Sequence, residues 1–269
     1  MKKEIKIALI IAVGFITLLW FEKPLRELLI KCMVDELLAK FIAGIIVRLL
    51  LLCFVIYLIF KLNLNKFTGL DSKMQMKNLH AALIALAIIV IGILSNWKIY
   101  SSIDLTKLIL FITSVITIGF FEEFVFRGMV LPLFIKSLHE KKQVLYLSVI
   151  LSSFLFGSIH FINLLSQSGN LGGITSQVFF SFSIGVFFGG LMLRTENIIV
   201  PSIIHGLVNF AFGAGELKSE TIVRISEGVS KGAHWNSIIP TTIFFLFILI
   251  GGLFMIRKSD TEVILSRLK

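Results

Sequence analysis

The chain has 269 residues, of which 57% are hydrophobic and only 16% are Asp, Glu, Lys or Arg. This excludes a disordered chain, a collagen and a disulfide scaffold, and it argues against a soluble enzyme, because a soluble domain carries about 25% charged residues. The net charge of +10 does not point to nucleic acid, because the basic residues sit between apolar runs, where lipid head groups hold them, and no basic stretch is interleaved with exposed aromatics.

A membrane-spanning helix needs about 20 mostly apolar residues, and runs of roughly that kind fall at about 5–21, 41–60, 81–97, 105–135, 144–165, 176–193, 198–212 and 238–256. The first follows Lys2 and Lys3 and is not trailed by a small-x-small cleavage pattern, so it is expected to be an anchor and not a signal peptide. Residues 24–40 place Leu25, Leu28, Leu29, Cys32, Met33 and Leu37 at helical spacing among charges, the pattern of an interfacial amphipathic helix. Asn170-Leu171-Gly172-Gly173 reads as a turn, and 214–236 as a polar loop with room for a short helix. Cys32 and Cys53 lack metal or redox spacing and read as packing thiols. No period of 20–50 residues and no Pro- or Ser-rich linker interrupts the chain. The expected fold is therefore all-α: one polytopic transmembrane helix bundle over 1–269, with about eight spans and one interfacial helix. With the N-terminus inside, the inside segments carry the greater share of Lys and Arg, so both termini are expected in the cytoplasm and the protein in the cell membrane.

Against this apolar background, ionisable residues within a span are functional hypotheses, since burying a charge in hydrocarbon is costly. Phe120-Phe121-Glu122-Glu123-Phe124-Val125-Phe126-Arg127-Gly128 puts two adjacent carboxylates in one run. Glu123 and Arg127 are four apart, share a helix face and can pair. Glu122 points about 100° away and is left without a local partner, which suits a general base. The fifth run carries Phe156 and His160; the seventh carries His205 and Asn209, again four apart, both able to donate hydrogen bonds to a developing oxyanion. Arg48, in the second run, has no partner within one turn; it is expected to snorkel or to pair with a carboxylate of another helix.

These residues suffice for two chemistries. Glu122, His160 and His205 could hold zinc. Alternatively, Glu122 and His160 could activate water without a metal while His205 and Asn209 hold the oxyanion. Metal-free catalysis is the preferred form, because His205 and Asn209 read more naturally as donors than as ligands. Other machinery is missing. His139-Glu140-Lys141-Lys142-Gln143 starts like HExxH but ends in Gln, and neither a G-x-S-x-G elbow nor a nucleotide-binding loop occurs. Neither nucleic acid nor nucleotide is an expected partner.

The order EExxxR (Glu122, Glu123, Arg127), FxxxH (Phe156, His160) and HxxxN (His205, Asn209) resembles the CPBP family, the CAAX-protease and bacteriocin-processing or Abi membrane proteins, over 120–212, the expected catalytic core. The resemblance implies an eight-helix bundle with a polar cavity and peptide-bond hydrolysis. It casts Glu122 and His160 as the water-activating pair, His205 and Asn209 as the oxyanion site, and Glu123 with Arg127 as support. It implies a peptide or membrane-protein substrate of bacteriocin, pheromone or CAAX-like kind, met in the lipid bilayer. The alternatives are a non-catalytic bacteriocin self-immunity or scaffold protein using the same cavity, and a secondary transporter, against which no inverted repeat is visible.

Overall fold

The computed structural model describes residues 3–71, 77–165, 169–217 and 235–268, with the backbone alone over 235–241. Among the described residues there is no strand. In chain order the helices are α1 (Lys3–Leu19), α2 (Glu22–Lys31), α3 (Glu36–Lys61), α4 (Asn65–Thr68), α5 (Leu83–Ser95), α6 (Trp97–Tyr100), α7 (Leu105–Val125), α8 (Leu131–Leu138), α9 (Val144–Ile159), α10 (Leu171–Thr195), α11 (Ile199–Phe212), α12 (Trp235–Arg257) and α13 (Thr261–Ser266). The fold is an all-α polytopic membrane bundle.

Among the described residues, five helical stretches are long and apolar enough to cross a bilayer: Lys3–Lys31, Glu36–Lys61, Leu105–Leu138, Val144–Leu165 and Leu171–Thr195. Of the other three apolar runs, one forms α12, a helix of 23 residues, and two form shorter helices, Leu79–Ser95 and α11. The helix α11 has 14 residues. At about 1.5 Å per residue it covers roughly 21 Å of a hydrocarbon core about 30 Å thick. It packs against α5, α7 and α10. Leu50, Phe54, Ile91, Phe154 and Ile250 are exposed and form the lipid-facing exterior.

Local chemistry fixes the helix starts. Asp35 accepts from the backbone N–H groups of Leu37 and Leu38, and Asp104 from those of Thr106 and Lys107, satisfying donors the first turn leaves free. The Asp35 cap moves one expected boundary: the segment before it ends with α2, Glu22–Lys31, which belongs to the apolar stretch Lys3–Lys31, and residues 36–40 begin the next span. The expected turn at Asn170 is instead a helix start, because its Oδ1 accepts from Gly173 N and caps α10. Of the expected polar loop, Gly213–Leu217 forms a 3-10 turn and 218–234 lies outside the described residues, as do Lys2, Lys73 and Lys269.

The core of the bundle is built where α7 lies between α3 and α11 and where α10 packs on α9 and α12. The crossing of α7 and α11 is backbone on backbone: a Cβ at Gly119 would stand 2.4 Å from Gly206 N. Small residues permit such an approach in membranes, where packing and not hydrophobicity drives association. One turn past Gly119 on α7 lie Glu122 and Glu123; beside Gly206 on α11 lies His205.

Candidate active site

The EExxxR run ends α7 and enters a π-helical turn, Phe126–Val130, that leads into α8. Pro132 explains the widening. It has no N–H to give the carbonyl four residues back, and its ring crowds that carbonyl. Ser152 Oγ on α9 donates to the carbonyl of Phe126 within the turn, at 3.3 Å.

Glu123 and Arg127 are paired and buried. Arg127 Nη1 lies 2.8 Å from Glu123 Oε1, with the side chains 1% and 0% exposed. Arg127 Nη2 also donates to the carbonyl of Gly185 on α10, at 3.0 Å. The guanidinium carbon stands 4.8 Å from the centroid of Phe156 and 5.8 Å from that of Phe188, so two aromatic faces add to its stabilisation.

His205 sits between the two carboxylates. Its Nδ1 is 2.8 Å from Glu123 Oε1 and its Nε2 is 3.5 Å from Glu122 Oε2. Phe188 stacks on the ring at 4.7 Å and 27°, and Phe156 meets it edge-on at 6.1 Å. The expectation that Glu122 has no partner therefore holds within its own helix and fails across the bundle. Helical spacing reports neighbours three and four residues apart and is silent on a histidine 83 residues away. Phe156 also meets the His160 ring edge-on at 5.6 Å. The phenylalanine of FxxxH thus touches both histidines and the arginine.

Glu122, His160, His205 and Asn209 all line one cavity of about 580 Å³ between α3, α7, α9, α10 and α11. Glu122 is partly exposed to it, whereas Glu123 is not. Among the described residues, no three His, Cys, Asp or Glu side chains are grouped to hold a metal ion. Glu122, His160 and His205 share the cavity without forming such a group.

The sequence reading missed several residues at this site. Phe188 carried no signal among 26 phenylalanines. Of the two expectations for Arg48, pairing with a carboxylate of another helix holds: it meets Glu22 on α2, with Nη2 3.0 Å from Oε1, and both line the cavity. Lys40 of α3 pairs with Glu216 beyond α11, also at the lining. At the far end of α11, Asn96 Nδ2 donates to the carbonyl of Ala211 at 3.0 Å and Tyr100 OH to that of Phe210, occupying carbonyls that a helix C-terminus leaves unpaired. At the near end, Ile198 N donates to the carbonyl of Thr68 at 3.0 Å. The short helix carrying His205 and Asn209 is thereby held at both ends.

Comparisons with curated proteins and with solved structures give no match. Residues 104–211, which span α7 to α11 and carry all three motifs, match the family described as type II CAAX prenyl endopeptidase Rce1-like, and this part of the chain is similar to that family.

Proposed function

We propose that the protein is an intramembrane peptidase that hydrolyses a peptide bond with water activated by Glu122 and His160. One observation carries the reading: Glu122, His160, His205 and Asn209, drawn from three separate helices, line the same cavity. Scattering such groups in hydrocarbon would be costly; their gathering is accounted for by shared chemistry.

The proposed steps follow from the geometry. Glu122 takes a proton from a water held between it and His160, and the water oxygen attacks the carbonyl carbon of the scissile bond. The negative charge that develops on the carbonyl oxygen is met by Asn209 Nδ2–H and His205 Nε2–H. Glu122 then returns its proton to the leaving nitrogen as the C–N bond breaks. For His205 to donate from Nε2 while Nδ1 is bonded to Glu123, the ring must carry both protons. Glu123 is thus a positioning residue: it orients the His205 ring and stabilises its charge, and Arg127 makes a buried carboxylate there tolerable.

The substrate is a peptide or membrane-associated protein reaching the cavity from the bilayer, of bacteriocin, pheromone or CAAX-like kind, and the protein sits in the cell membrane with both termini in the cytoplasm. The test is cleavage of a quenched fluorescent peptide library by the purified full-length protein, beside Glu122→Gln. Cleavage lost in a variant that still elutes and melts as the native protein supports the reading; equal cleavage by both overturns it.

A further inference from the structure

The cavity holds a second charged centre that the hydrolytic chemistry does not use. Arg48 and Glu22 line it, with side chains 18% and 25% exposed. Arg48 Nη2 stands 3.0 Å from Glu22 Oε1, an ion-pair contact at the cavity wall. A guanidinium offers five N–H donors in a planar fork suited to a carboxylate. Among the described residues, its ion-pair partner is Glu22. Its place depends on Gly44, where a Cβ would stand 2.3 Å from Arg48 Nη1. The side chain folds over its own helix instead of snorkelling to the membrane surface.

The height of Arg48 relative to Glu122 is readable from two contacts. The rings of Phe41 and Phe111 are 5.8 Å apart, and Ile59 stands against Gly128. Hence α3 and the α7–α8 rod run side by side in the same direction, nearly in register. Seven residues past Phe41, the backbone of Arg48 is level with Ile118, four residues or about 6 Å short of Glu122, and its guanidinium lies still farther back, over Gly44. An extended peptide advances about 3.3–3.6 Å per residue. A group held at Arg48 is then at least two residues along the chain from a bond placed at Glu122.

Given the peptidase reading above, we infer that Arg48 is the docking residue for a carboxylate of the substrate peptide, at least two residues from the scissile bond, with Glu22 holding the guanidinium until that carboxylate arrives. The carboxylate is a free C-terminus or an acidic side chain. The rest of the wall near it, including Phe41, Phe111 and Phe212, takes apolar residues.

The test measures binding of acetyl-Phe-Leu-Ile-Phe as free acid, of its C-terminal amide, and of an amide ending in Asp, to the full-length protein carrying Glu122→Gln in lipid nanodiscs. The free acid should bind about ten- to a hundredfold more tightly than the amide, the range for a hydrogen bond to a charged group. Arg48→Gln should erase the preference and Arg48→Lys should keep part of it. Glu22→Gln should strengthen it, because the competing carboxylate is gone. The Asp-ending amide binding like the free acid identifies a side-chain carboxylate as sufficient; binding like the plain amide identifies the C-terminus. Equal binding of acid and amide, an unchanged preference in Arg48→Gln, or a weaker preference in Glu22→Gln would overturn the site and leave an ion pair that only packs α2 on α3. Cleavage by the native protein is scored separately. Peptides bound through Arg48 and never cut would count against the peptidase and leave the carboxylate site standing.

Discussion

Replacing Glu123 by alanine probes the most deeply buried charge in the bundle. The substitution removes two contacts of 2.8 Å, one to Arg127 and one to His205, and strands a guanidinium that is 1% exposed. Breaking a buried pair by deleting one partner costs about 3–5 kcal/mol. The carbonyl of Gly185 and the faces of Phe156 and Phe188 still hold Arg127, so the loss should fall in the lower part of that range, about 3 kcal/mol. At roughly 2–4 °C per kcal/mol for a chain of this size, the melting midpoint should drop by about 6–12 °C. The double change Glu123→Gln with Arg127→Gln removes both charges and leaves no stranded ion, and should recover at least half of the drop. The assay is thermal unfolding of the purified protein in one detergent, followed by tryptophan fluorescence and by the fraction surviving size exclusion. A Glu123→Ala protein that melts with the native one, or a double variant less stable than the single, would refute the reasoning about the buried pair.

Glu122→Gln and His160→Ala should each lower cleavage by about 10²–10⁴, the range for a general acid–base group, with the melting midpoint little changed, because both residues face the cavity. Asn209→Ala should cost about 10²–10³ in rate, the loss expected for one oxyanion donor; a loss as deep as that of Glu122→Gln would remove Asn209 from a purely donating role. Gly119→Ala should destabilise by about 1–3 kcal/mol through overpacking and lower activity at the same time, since its Cβ would press on the backbone of Gly206 beside His205; a stable, fully active variant would show that the α7–α11 approach does not set the site. Reporter fusions after Lys3 and after Lys269 should both report the cytoplasm, and opposite sides would contradict an even number of crossings.

The sequence by itself determined the fold class and pointed to Glu122, His160, His205 and Asn209, which line one cavity. Apolar runs of membrane length leave the backbone no choice but helix, since hydrocarbon offers no other partner for its N–H and C=O groups. Spacing of four residues is local geometry, so the pairing of Glu123 with Arg127 and the shared face of His205 and Asn209 were legible before any fold. The tertiary structure decided what depends on separation along the chain. It placed His205 between Glu122 and Glu123, set Phe188 on the His205 ring, and gave Arg48 a partner in Glu22 on α2. No periodicity carries those contacts, because they depend on which helices meet and how closely. The backbone contact of Gly119 with Gly206 settles that for α7 and α11, and in a chain with 20 glycines nothing in the sequence distinguished these two.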